Sequence, residues 1–138
     1  MIEFVNKAWS QYQTTTLQNG LKFNDVAAAG TYAVNLNYAI YNGTEPQNLE
    51  QNRAVYAQMK QFAQQNKNFA ALSDADKQMQ AEMIVVRATV PALFLALSRQ
   101  PNSGVTQDEA RELAAKNLAD LLGNDFANLR FTDNGLER

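Results

Sequence analysis

Apolar residues recur along most of this chain at intervals of three and four, the spacing of one face of a helix. Val5, Ala8, Trp9 and Tyr12 open the pattern and predict a short helix within an N-terminal arm over residues 1–24. The β-branched run Thr14, Thr15 and Thr16 weakens helical continuation, and Asn19 followed by Gly20 signals a turn. A first long helix is predicted over residues 25–41, with Asn24 or Asp25 as its cap and Asn42 and Gly43 as its stop. Its apolar residues wrap nearly all round: Val26, Ala29, Ala33, Leu36 and Ile40 on one side, Val34, Tyr38 and Tyr41 on another. Such a helix belongs near the centre of a domain. Ala27, Ala28, Ala29 and Gly30 let a neighbouring backbone approach it closely.

Glu45 and Pro46 begin the next unit, with the proline in a first helical turn. Leu49, Tyr56, Met59 and Phe62 or Ala63 form its apolar face; Gln51, Gln58, Gln61 and Gln65 turn to water, and the helix ends near Asn66. Phe69 and Leu72 are expected to insert into the core before Ser73 caps a third long helix, whose first turn carries Asp74 and Asp76. There Ala75, Met79, Met83, Val86, Val90, Leu93 or Phe94, and Leu97 form the stripe expected to face the core. Pro91 should bend this helix or start a new segment. Its apolar run over residues 83–97 is broken by Arg87 and too short to cross a bilayer, so no membrane span is expected.

A loop over residues 101–104 precedes a capping box of Thr106 and Glu109; Ala110, Leu113, Ala114, Asn117, Leu118 and Leu121 then continue one face to Gly123. Phe126, Leu129 and Phe131 are expected to fold back as a short helix or extended segment, followed by a turn at Asn134 and Gly135 and a frayed end. The pattern therefore predicts an all-α protein. It is an irregular antiparallel bundle of about four major helices plus one or two short ones, over residues 25–138 with a short C-terminal tail. A length of 138 residues supports one hydrophobic core.

Composition narrows the chemistry more than the fold. The chain has no histidine and no cysteine, which excludes imidazole- or thiolate-based nucleophiles, zinc sites of those ligands, and disulfides. Carboxylate chemistry survives that exclusion, and Asp108 and Glu112 share a helical face, but solvation and helix-end stabilisation account for them. Asp74 and Asp76 lack the rest of a calcium loop, so no metal, cofactor or catalytic residue is expected. A net charge of −2 with no basic stripe argues against nucleic acid. The first fifteen residues lack a basic leader and long apolar stretch, so no signal peptide is expected in them. Asn and Gln together number 28 against 26 charged residues, which favours a periplasmic or secreted setting if a leader precedes the chain, and a cytoplasmic one otherwise.

Candidate sites remain. Trp9, Tyr12, Tyr38, Tyr41 and Tyr56, with Asn35, are candidates for an aromatic-amide surface that binds another protein, since such rings dominate interface hot spots. Asn35 and Asn37 point about 200° apart, so one of them is expected to meet another helix while the other reaches water. Glu82 and Arg87 interrupt the most apolar stretch; five residues apart, they are poorly spaced to pair within one helix. Glu82 is expected to meet Arg53 of the preceding helix, in an interhelical or surface pair or in a polar cleft.

The segments NLNYAIYNGTEP, FAALSDADKQMQAE and NLADLLGNDFANLRFTDNGL resemble an uncharacterised group of small all-helical bacterial domains, often found in proteins with export signals. The likeness covers residues 26–136 and is best anchored where Phe69 to Leu72 leads into Ser73 to Asp76. It implies a compact helical domain and an envelope or secreted context, and carries over no activity, cofactor or partner. The leading functional expectation is a non-catalytic protein-interaction module, such as a secretion-associated accessory or an immunity protein. Alternatives are an apolar-ligand carrier lined by Met59, Met79, Met83 and Phe94, and a self-associating structural module.

Overall fold

A computed structural model gives the fold; it describes residues 2–18, 25–45 and 47–138, with the backbone alone at positions 2, 4, 5, 8, 15–18 and 49. The expected turn at Asn19 and Gly20, a cap from Asn24, and the packing of Val5, Ala8, Leu49 and Pro46 lie outside the described residues. The elements are α1 (Ile2–Gln18), α2 (Val26–Asn42), α3 (Leu49–Gln65), the single turn α4 (Lys67–Ala70), α5 (Asp74–Ser98) and α6 (Gln107–Leu122). A 3-10 turn, Phe126–Asn128, then leads to strands β1 (Arg130–Thr132) and β2 (Gly135–Glu137). Among the described residues the fold is all-α apart from this small hairpin.

Helix boundaries follow local chemistry. The Asp25 carboxylate accepts from the Ala27 amide (2.8 Å) to start α2, and Gly43, at φ 65°, ends it in the left-handed region open to glycine. Ser73 accepts from the Asp76 amide at the start of α5, and Thr106 and Glu109 form a reciprocal capping box on α6. α3 starts later than Pro46 would place it: Asn48 accepts from the Gln51 amide (2.9 Å) and supplies the cap. α1 runs to Gln18, through the three threonines that were expected to weaken its continuation. Thr14 turns its hydroxyl back onto the Ser10 carbonyl (3.0 Å), so its side chain joins the helix instead of competing with it.

α2 is the central element, packed on α3, α5 and α6. Ala27, Ala28, Ala29, Gly30, Ala33 and Val34 are buried, and their small size lets the neighbouring helices approach closely. α1 lies against α5 and α2, where Tyr12 fills a cluster with Ala29, Ala81 and Val85. A second cluster joins Ile40 of α2 to Ala110 and Ala114 of α6. Phe69 and Leu72 are half-buried at the edge rather than inserted, and Phe62, expected to share the α3 face, stands 70% exposed.

The tail is more ordered than the expected frayed end. β1 and β2 pair antiparallel with Phe131 opposite Leu136. The Gln58 side chain on α3, expected to face water, binds the second strand through its amide: its oxygen accepts from the Leu136 amide (2.8 Å) and its nitrogen donates to the Leu136 carbonyl (3.1 Å). Arg138 closes the end on Asp125.

Candidate interaction face

α5 carries two apolar stripes, and the bundle uses the smaller one. Ala81, Val85, Ala88, Thr89 and Pro91 are buried. Met79, Met83, Val86 and Val90, expected in the core, are exposed by 54%, 55%, 40% and 36%. Val90 lies nine residues after Ala81, which places the two on opposite sides of the helix. The correction has a steric cause. α2 meets α5 through small residues such as Ala29, which clusters with Ala81 and Val85, and such close backbones leave no space between them for methionine, so the bulky stripe turns outward. The alanine run in α2 was the signal in the sequence for a small-residue face on its neighbour.

An amide cluster spans the proline gap in α5, which presents this face as one helix. Proline has no amide hydrogen, so Pro91 leaves the Arg87 carbonyl without its usual helical donor. The Asn117 side chain of α6 replaces it, donating to the Arg87 carbonyl (2.9 Å) and to the Asn37 side-chain oxygen (3.1 Å). Asn37, fully buried on α2, donates in turn to the Ala33 carbonyl (2.8 Å) and the Ala88 carbonyl (3.3 Å). α5 continues through Pro91 as one 25-residue helix, so no new segment starts there.

The expected aromatic surface is dispersed over three places and spent on internal contacts. Tyr12 is fully buried, with Trp9 on one side (ring centroids 5.2 Å) and Tyr32 on the other (5.0 Å), so it offers nothing to a partner. Tyr38 packs edge-on against Phe131 (4.8 Å) and Tyr41 against Phe126 (5.3 Å), which attaches the tail to α2. Tyr56 donates its hydroxyl to Asp25 (2.6 Å); burial first, then that bond and the carboxylate charge, push its phenol up to about 12. Burial also raises the Tyr32 phenol. Asn35 accepts from the Gln47 amide (2.8 Å), holding the chain before α3, while Asn37 takes the interhelical role.

The expected pair of Glu82 with Arg53 does not form. Glu82 accepts from Gln78 one turn earlier (2.9 Å), and Arg53 stands exposed on α3. Both face water, where an ion pair gains little against side-chain entropy. Arg87 instead bonds Asp120 of α6 at 2.5 Å, with both side chains about half exposed. Glu82 and Arg87 thus sit on the two flanks of the exposed stripe.

The cavities do not follow the expected methionine lining. One of about 90 Å³ lies between α2, α5 and α6 beside Arg87, Asn117 and Asp120. Another, of about 310 Å³, is bordered by Asp25, Lys60, Phe69 and Lys77, with the Lys77 ammonium 5.6 Å from the Phe69 ring centre. Met79 and Met83 are outside both, and Met59 packs near Gly30. Among the described residues no cluster of three or more acidic side chains is placed to hold a metal ion. The expectation that the apolar run is too short to cross a membrane counted only residues 83–97. The continuous α5 is long and apolar enough by length and composition, with a mean hydropathy of 1.6 over a window only 28% buried.

The whole chain, residues 1–138, matches the family described as a family of unknown function (DUF6683), and the chain belongs to it. No curated protein and no solved structure matches the chain.

Proposed function

We propose that this protein is a non-catalytic docking module whose outer α5 face receives an apolar helix of a protein partner. The observation that carries this reading is the stripe of Met79, Met83, Val86 and Val90, left 36–55% exposed on a helix whose opposite face is fully packed. The bundle covers these side chains only in part, and a helix-in-groove or helix-on-helix partner is the occupant matched to their spacing. Unbranched methionines adapt to the shape of such a partner. The amide-rich composition supports an envelope or extracellular setting.

The test is a cross-linked pull-down with three baits: the native chain, Met83→Glu, and Lys60→Glu as a surface control on α3. The expected result is a partner cross-linked to α5 that is lost with Met83→Glu and kept with Lys60→Glu. Equal recovery with all three baits would remove the stripe from the proposal. Binding of the native chain to lipid vesicles, abolished by Met83→Glu, would assign the face to a membrane instead.

A further inference from the structure

The spacing and charges of the α5 outer face point to its occupant, and we propose that it is the same helix of a second copy, aligned parallel and in register. This rests on the docking reading above and deepens it. Met79, Met83, Val86, Val90, Leu93 and Leu97 follow one another at intervals of four, three, four, three and four. That is the alternation of a two-helix seam, sustained here for about 27 Å of helix. The first four are exposed, and Leu93 and Leu97 continue the line half-buried.

Charge decides the direction. With Met83 and Val90 at the first core position of the heptad and Val86 at the fourth, Glu82 falls on one flank of the seam and Arg87 on the other. In a parallel pair, a residue at Glu82's position faces the residue five further along in the partner, which is Arg87. The spacing of five that is poor for a bond within one helix is thus the spacing of an ion pair between two. Symmetry supplies it twice, once on each side of the Met83 and Val86 layers. In an antiparallel pair like flanks face each other, so Arg87 would lie near its own copy and Glu82 near its own. Among the described residues Glu82 meets only the neutral Gln78, which leaves its charge uncompensated there. The Arg87 guanidinium has five donors and spends one bond on Asp120, so it can serve both carboxylates. The stripe also lies directly opposite the buried face, which sets the two bundles back to back across the seam.

The chain has no cysteine, so single introduced thiols report the register directly. In the parallel pair each core residue meets its own copy, and Val86→Cys is expected to oxidise to a covalent dimer, with Gln61→Cys on α3 remaining monomeric as the control. Sedimentation at rising concentration should show the native chain moving from monomer to dimer. Glu82→Arg alone and Arg87→Glu alone should each stay monomeric, and an equal mixture of the two variants should recover the dimer, because in the mixed pair one ion pair is the native one and the other re-forms with reversed sign. Recovery on mixing also shows that both variants are folded.

A native chain that stays monomeric at all concentrations, with no Val86→Cys dimer, overturns self-pairing. If the Met83→Glu bait still loses a cross-linked partner, the docking reading stands without it. A Val86→Cys chain that links only to a Met83→Cys chain overturns the parallel direction. A dimer indifferent to Met83→Glu overturns both proposals.

Discussion

The two faces of α5 have similar apolar character and opposite uses. Its inner face is built of Ala81, Val85, Ala88 and Thr89, all 5% exposed or less, against the alanines of α2. Its outer face is built of larger residues, Met79, Met83, Val86 and Val90, that touch far less of the bundle. Size alone would assign them the other way round. The difference teaches that what a helix buries is set by how closely its neighbour approaches: a small-residue partner selects the small stripe and leaves the large one for other work.

The sharpest way to break this comparison is to change the side-chain bulk on each side in turn. Ala81→Leu adds three carbons where no exposed surface exists, and we expect a loss of about 1–3 kcal/mol. Met83→Ser on the outer face should change stability by only about 0.5 kcal/mol, because its side chain already meets water. Urea titration of the two variants measures both. Equal losses would show that the outer stripe is part of the core.

The amide cluster at Pro91 ranks next. Asn117→Ala removes the donor that serves the Arg87 carbonyl and the Asn37 oxygen, and about 2 kcal/mol should be lost. In a Pro91→Ala background the helix regains its own amide donor at that turn, so the same Asn117→Ala change should cost less. A double-mutant cycle gives the coupling, and strict additivity would show that Asn117 does not repair the proline gap.

How legible each part was depends on how local its cause is. Asp25, Gly43, Ser73 and the Thr106 with Glu109 box act within a few residues of themselves, and the boundaries they set were readable from the sequence. The three threonines of α1 were misread because helix propensity costs only a few tenths of a kcal/mol per residue, less than the packing of Tyr12 returns. The tail hairpin was hidden for a different reason. Its strands have three residues each and depend on Gln58, 78 positions away from Leu136, and no local pattern carries a contact of that range. The α5 face is intermediate. Its residues were recognised as one stripe, but a helix apolar on both sides has two candidate inner faces, and only the neighbour's size distinguishes them.

The bond between Tyr56 and Asp25 extends the comparison to a polar contact outside α5. Tyr56→Phe should cost about 1 kcal/mol near neutral pH. The folded-state phenol, at about 12, lies above the ordinary 10.0 of the unfolded chain, so its contribution is whole below pH 10 and is lost as pH rises toward 12. Thermal melts across that range should fall more steeply for the native chain than for Tyr56→Phe; parallel curves would show that the bond does not persist in solution.

The smallest effect has the opposite sign. Gly30 lies inside α2 with ordinary helical backbone, where glycine loses more freedom on folding than alanine does. A Cβ added there would meet the Met59 sulfur at 3.6 Å, an ordinary van der Waals distance. Gly30→Ala should therefore stabilise the protein by about 0.5–1 kcal/mol. A loss instead would mean that α3 sits closer to α2 than this contact allows, and that the glycine is required for the approach. That outcome would make the α2–α3 contact as tightly fitted as the inner face of α5. A gain would confine the strict demand for small residues to the side of α2 that selects which stripe of α5 is buried.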